Sequence, residues 1–145
     1  MKELCLPAFD YKVKKQQGQM LIFDIVRKRY VVLTPEEWVR QHFIHFLVAY
    51  REFPVRLIEK EVAVCGLKQR FDIVCYDRQG EPYLIVECKA PTVSLSQVVF
   101  DQAFRYNLSV GARFVAITNG CELYCGEMTE SRGFRLLAGI PYFGA

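Results

Sequence analysis

The sequence holds six cysteines but no CxxC pair, and its two histidines, His42 and His45, lie far from every cysteine. A structural zinc site needs thiolate and imidazole ligands at short, regular spacings, so that class is disfavoured. No apolar run reaches about 18 residues and no basic-then-apolar leader opens the chain, which argues against membrane spanning and export. Reduced thiols in a cytoplasmic location follow as the default expectation. There is no internal repeat, no glycine-rich phosphate loop and no Ser-His-Asp order of the kind a hydrolase triad uses. Charge is not one-sided either: 19 Lys and Arg against 16 Asp and Glu leave a net +3. Contact with phosphates stays open, but the strongly basic footprint of many nucleic-acid binders is missing.

What is present is enough apolar material for one packed domain. Of 145 residues, 52% are hydrophobic and 24% charged, the balance of a globular chain rather than a disordered one. We read residues 1–145 as a single domain in three parts: an N-terminal hairpin extension (1–33), a core (34–125) and an apolar tail (126–145). The hairpin pairs Tyr11 to Lys15 with Met20 to Val26 around Gln16-Gln17-Gly18, flanked by the basic clusters Lys12, Lys14, Lys15 and Arg27, Lys28, Arg29. Such clusters ordinarily face water, although they could also follow a phosphate backbone. Thr34-Pro35-Glu36-Glu37 opens a core helix, expected to reach Glu52, with Thr as N-cap, Pro at the first helical position and Glu37 in capping-box spacing. A strand over Arg56 to Cys65 follows, then a turn at Gly66-Leu67-Lys68-Gln69. A second helix is expected from a Ser94 cap to Gly111, and Asn119-Gly120 marks a hairpin after the strand Arg113 to Thr118.

The chemistry concentrates in RFDIVCYDRQGEPYLIVECKA, Arg70 to Ala90. Two strands, Phe71 to Tyr76 and Tyr83 to Cys88, flank a polar turn. If Gln79-Gly80 is a two-residue loop, Asp72 stands across from Glu87, with Cβ atoms about 5 Å apart. Period-two alternation puts Lys89 on the face of Glu87 and sends Leu84, Val86 and Cys88 to the other. Facing carboxylates in an apolar sheet repel, and a hard divalent cation such as Mg²⁺ is the economical way to offset that. The bland alternative is a set of ordinary ion pairs at the sheet rim. Gln102 and Tyr106, at i and i+4, share a face of the second helix. His42 and His45 could share a face but lack a third ligand.

The order helix, three antiparallel strands, helix, strand, with Asp72 on one strand and Glu87-Cys88-Lys89 on the next, resembles the PD-(D/E)xK nuclease superfamily. TPEEWVRQ, RFDIVCYD, YLIVECKAP, DQAFRYN and FVAITNG together resemble the N-terminal nuclease domain of type I restriction enzyme R subunits and its stand-alone relatives. Phe71-Asp72 departs from the superfamily's leading Pro-Asp. The resemblance implies a mixed α/β fold (α+β), a restriction-endonuclease-like α-β-β-β-α-β core whose mixed sheet is flanked by helices. It also implies a Mg²⁺-dependent nuclease, Mn²⁺ being a possible substitute, that hydrolyses phosphodiester bonds of nucleic acid, most naturally DNA. Asp72, Glu87 and Glu37 are then metal ligands, with Glu36 competing for the place of Glu37. Lys89 positions water and phosphate, Gln102 and Tyr106 form the QxxxY motif of RecB-like members, and Arg40, Arg70, Lys68 and Arg105 are candidates for strand contact. A homodimer or a larger restriction or repair assembly is compatible with it, as is a non-catalytic nucleic-acid-binding or assembly module that keeps the fold. A chain of 145 residues has no room for the translocase of a type I subunit.

Overall fold

A computed structural model describes residues 2–63, 70–131 and 133–144, with the side chains of 60–63 and 70 left aside. The expected turn at Gly66-Leu67-Lys68-Gln69, with Cys65 and Lys68, lies outside the described residues. Two sheets and two helices make up the rest. An antiparallel three-stranded sheet is built from β1 (Val13–Gln16), β2 (Gln19–Asp24) and β3 (Arg29–Val32). The hairpin thus has a third strand, which the basic run Arg27-Lys28-Arg29 conceals because its residues form the end of a turn and the start of β3 rather than a loop. The main sheet runs in the order β4 (Ile58–Ala63), β5 (Arg70–Tyr76), β6 (Pro82–Cys88), β7 (Phe114–Thr118), β8 (Leu123–Met128), β9 (Phe134–Leu137). It is mixed: β6 and β7 are parallel and the other neighbours antiparallel. The apolar tail supplies β9, an edge strand added to β8. Among the described residues no helix is long and apolar enough to cross a membrane.

Helix α1 (Pro35–Tyr50) starts where its local chemistry says it should, with Thr34 Oγ1 accepting from the Glu37 N–H at 3.0 Å. It ends at Tyr50, two residues short of Glu52, because Arg51 and Phe53 both turn their N–H groups back to the Leu47 carbonyl. Its buried stripe, Glu37, Arg40, Gln41, Ile44 and Leu47, follows helical spacing. The stripe is polar in the first turns and apolar in the last. Trp38, Val39, Phe43, Ile44 and Leu47 join Ile73, Leu84, Val86 and Cys88 on one face of the main sheet.

Helix α2 (Gln97–Val110) covers the opposite face, where Phe100, Ala103 and Phe104 meet Phe71, Val74, Ile85, Val115 and Ile117. Each fully buried Phe or Ile of this kind contributes roughly 1.5–3 kcal/mol through area removed from water. Its cap is Ser96, not Ser94: Ser96 Oγ accepts from the Val99 N–H at 3.3 Å. The helix stops at Gly111, whose φ of +78° is left-handed and suits glycine.

Two turns differ from their sequence signals, both because a side chain replaces the backbone pattern of a two-residue loop. Asp77 Oδ1 accepts from the N–H groups of Gln79 and Glu81, each at 2.9 Å, so the β5–β6 loop is longer and Tyr76 faces Pro82. A bulge between Cys75 and Tyr76 then restores the pairings Cys75–Leu84 and Ile73–Val86, the same register a two-residue loop would give. Likewise Asn119 Oδ1 accepts from the N–H groups of Cys121 and Glu122 (3.0 and 2.7 Å), opening a four-residue connection between β7 and β8.

Asn107 holds the α2–β7 junction. Its fully buried amide donates to the Ala112 carbonyl at 2.8 Å and accepts from the Ala112 N–H at 2.9 Å. Asn107→Ala strands both groups of Ala112 and is expected to cost about 2 kcal/mol, read as a lowered urea midpoint with an unchanged slope. An unchanged midpoint would mean the junction holds without that side chain.

Candidate active site

The β5–β6 ladder ends at Ile73–Val86, one residue before the two carboxylates. There the strands part, and the Asp72 side chain takes the place of the next backbone rung: its Oδ2 accepts from the Cys88 N–H at 2.6 Å. Beyond Cys88 the chain stays tied to β7 through Lys89 N–H donating to the Thr118 carbonyl at 2.8 Å. Lys89 is therefore fixed by its backbone while its side chain is half-buried at the end of the sheet.

Asp72 is buried, and Arg40 reaches it from α1, Nη2 donating to Oδ1 at 2.8 Å. The same guanidinium donates through Nη1 to Glu37 Oε1 at 2.5 Å, and Gln41 Nε2 donates to Glu37 Oε2 at 2.7 Å. Burial works against the charged guanidinium, yet Glu37 and then Asp72 hold its pKa above the ordinary value. Glu37 thus binds α1 to β5 through Arg40. Both of its oxygens are engaged in this network.

Glu87 differs. Burial, a hydrogen bond with Asp72 and the Asp72 charge push its carboxyl up to about 9, against the pull of Lys89. Burial and the neighbouring Asp72 thus favour the neutral form of the Glu87 carboxyl. Glu36, exposed on the first turn of α1, is also raised, first by partial burial and next by the charge of Asp72, with Arg40 and Lys89 opposing. Glu36 thus stands in the electrostatic field of Asp72 and Lys89, and its charge acts in turn on Glu87.

Glu87, Lys89, Gln102 and Tyr106 line one cleft of about 230 Å³, together with Val99 and Ala103. Gln102 Nε2 donates to the Tyr106 hydroxyl at 3.3 Å across one turn of α2. Arg105 is exposed on the same helix. Arg70 opens β5. Arg40, expected at a nucleic-acid surface, is only 5% exposed. Its guanidinium points inward because two carboxylates hold it there, so its place is to position Asp72. Sequence reasoning missed this role and that of Gln41, although the spacing 37, 40, 41, 44 was the available signal. Among the described residues no three His, Cys, Asp or Glu side chains form a ready-made metal cage.

Residues 35–141 match the family model described as Type I restriction enzyme R protein N terminus (HSDR_N). The chain belongs to this family. The solved structure of the type IIG restriction endonuclease BpuSI is similar over 72% of this chain, with a TM-score of 0.51 and 17% sequence identity. That likeness shows a shared fold, restriction-endonuclease-like, and spans 13% of the BpuSI chain. No curated protein matches. The family match leaves β1, β2 and β3 outside it.

The raised Glu87 carboxyl sets a pH dependence. A folded-state pKa above the unfolded value stabilises the fold fully below the unfolded value of about 4.3, and the effect is lost as pH rises through the folded value. In chelator, the melting temperature is expected to fall between pH 5 and 9. Glu87→Gln should flatten that decline and melt higher than wild type at pH 9. Parallel curves for the two proteins would exclude a raised Glu87 carboxyl.

Proposed function

We propose that this domain is a divalent-metal-dependent nuclease that hydrolyses phosphodiester bonds of DNA. The observation that carries the reading is Glu87, which bonds to the buried Asp72 and lines one cleft with Lys89, Gln102 and Tyr106. Hard oxygen donors of this kind suit Mg²⁺, which is typically held by one or two carboxylates with waters and substrate completing its shell. The two carboxylates fit such an ion, since a cation would relieve the repulsion by which Asp72 raises the Glu87 carboxyl. Asp72 and Glu87 would hold Mg²⁺ or Mn²⁺, which would supply Lewis acidity toward a phosphate oxygen and lower the pKa of a bound water.

The chain's own residues do the rest. Arg40 keeps Asp72 oriented without touching substrate. Lys89 places its ammonium against the charge that develops on the phosphate and orients the attacking water. Gln102 and Tyr106 hold the strand against α2. Glu36, at the mouth, is the first-helix acid best situated to bind a metal-bound water, while Glu37 serves the fold. Membership of a restriction-enzyme family supports the nuclease class and DNA as the substrate.

One observation favours a second reading, a nucleic-acid-binding module without catalysis: both Asp72 oxygens already have protein partners, Arg40 and the Cys88 N–H. Calorimetric titration of Mg²⁺ and Mn²⁺ into wild type and Asp72→Ala, followed by incubation with mixed DNA substrates, separates the two. Binding and cleavage that vanish together in the variant, with its circular dichroism spectrum unchanged, establish the nuclease. A folded wild type that takes up no metal even with DNA leaves the binding module.

Two variant pairs test the roles. Lys89→Ala is expected to lower the cleavage rate about 10²- to 10³-fold with metal affinity unchanged, and wild-type cleavage would remove Lys89 from the chemistry. Glu36→Gln should slow cleavage at constant melting temperature, whereas Glu37→Ala should destabilise by on the order of 3 kcal/mol through the buried charge it strands. Reversed outcomes would return the metal-ligating role to Glu37.

A further inference from the structure

Positive charge in this chain is not spread evenly. Residues 11–32 hold six cations, Lys12, Lys14, Lys15, Arg27, Lys28 and Arg29, and one acid, Asp24. Asp24 is buried and accepts from the Val26 N–H at 2.8 Å within the turn. The stretch is therefore +5 in a chain of net +3, and the remainder, with 13 basic and 15 acidic residues, is −2. Lys12, Lys14, Lys15, Lys28 and Arg29 are exposed and take part in no ion pair among the described residues.

The pleat sorts these residues by face. Val13, Ile22 and Val31 lie side by side across the three strands, and Ile22 is fully buried in the core, so that face is the inner one. On the outer face Lys14, Leu21 and Val32 form one row, and Lys12, Phe23 and Tyr30 the next. Phe23 and Tyr30 meet edge to face at 5.4 Å, with the Lys14 ammonium 4.2 Å above the Tyr30 ring and the Lys12 ammonium 5.9 Å from the Phe23 ring. Lys12 and Lys14 stand about 7 Å apart along the strand, close to the spacing of neighbouring phosphates on an extended strand.

We propose that the outer face of the β1–β2–β3 sheet is an anchoring site for single-stranded nucleic acid. Its unneutralised cations take the phosphates, and Phe23 and Tyr30 offer rings on which unpaired bases stack once the lysines turn to the backbone. A row of cations alone would suit any polyanion. Rings set among them favour a strand whose bases are free, because stacking on aromatic platforms requires unpaired base faces. The inference does not depend on cleavage at the cleft, since the sheet lies outside the family match and shares no residue with the proposed catalytic site.

The test is fluorescence anisotropy of a labelled 20-nucleotide single strand with the full chain in chelator, at several salt concentrations. Each phosphate contact contributes about −0.7 to the slope of log affinity against log salt on single strands. Lys12→Gln/Lys14→Gln is expected to reduce that slope by about 1.4 and the affinity at least tenfold. Tyr30→Leu is expected to weaken binding about tenfold at an unchanged slope. Lys12→Arg/Lys14→Arg should bind like wild type, and circular dichroism and urea midpoints confirm that each variant folds. An unchanged slope in the double Gln variant would overturn the proposal. So would tighter binding of a 20-base-pair duplex than of the single strand, or binding to phosphatidylserine vesicles with none to the oligonucleotide. Cleavage by the wild type, assayed separately with Mg²⁺ added, tests the nuclease reading alone.

Discussion

The buried ion network of Glu37, Arg40 and Asp72 is the constraint on which the site depends. Arg40 crosses from α1 to β5 and is only 5% exposed, bonding to a carboxylate on each side. A cation in that position would be very costly without both partners, and either carboxylate would be costly without it. The network therefore fixes the distance between the first turns of α1 and the end of β5. That spacing brings Glu36 into the field of Asp72 and Glu87.

The parting of β5 and β6 gives this network its chemical consequence. Had the ladder continued past Ile73–Val86, the Cys88 N–H would face a backbone carbonyl and Asp72 would be one more pleated side chain. Instead Asp72 accepts that N–H itself, so its carboxylate sits between the strands and against Glu87. Parallel pairing of β6 with β7 then carries Lys89 past the end of β5, where α2, packed on the same face as Glu87, closes the cleft with Gln102 and Tyr106. The crossover through α2 is what a parallel pair requires, so the connection that completes the sheet also supplies a wall of the cleft.

The molecule has two chemically distinct surfaces. The cleft carries one carboxylate, Glu87, and one lysine, Lys89, beside Gln102 and Tyr106. The outer face of the N-terminal sheet is cationic and aromatic. The family match covers the first and omits the second.

The sequence by itself determined the periodic and capping features: the Thr34 cap, the left-handed stop at Gly111, the alternation along β5 and β6, and hence which residues share a face with Glu87. These follow from local sterics and hydrogen bonding over a few residues. The register of the β5–β6 ladder, Cys75–Leu84 to Ile73–Val86, is the expected one, although it is reached by a longer Asp77 loop and a compensating bulge and stops short of Asp72 and Glu87. Side-chain acceptors in turns compete with backbone patterns too closely for residue type alone to decide, and Ser96 replaced Ser94 as cap for the same reason. Only the tertiary structure buried Glu37 against Arg40, left Glu36 exposed and turned Arg40 inward, because those outcomes rest on which face of α1 meets the end of β5. Helical spacing groups Glu37 with Arg40 and Gln41 but cannot say that the stripe is buried. Burial in a low-dielectric interior changes a charged residue from a surface contact into a structural tie, and it is a property of the assembled layers rather than of the chain.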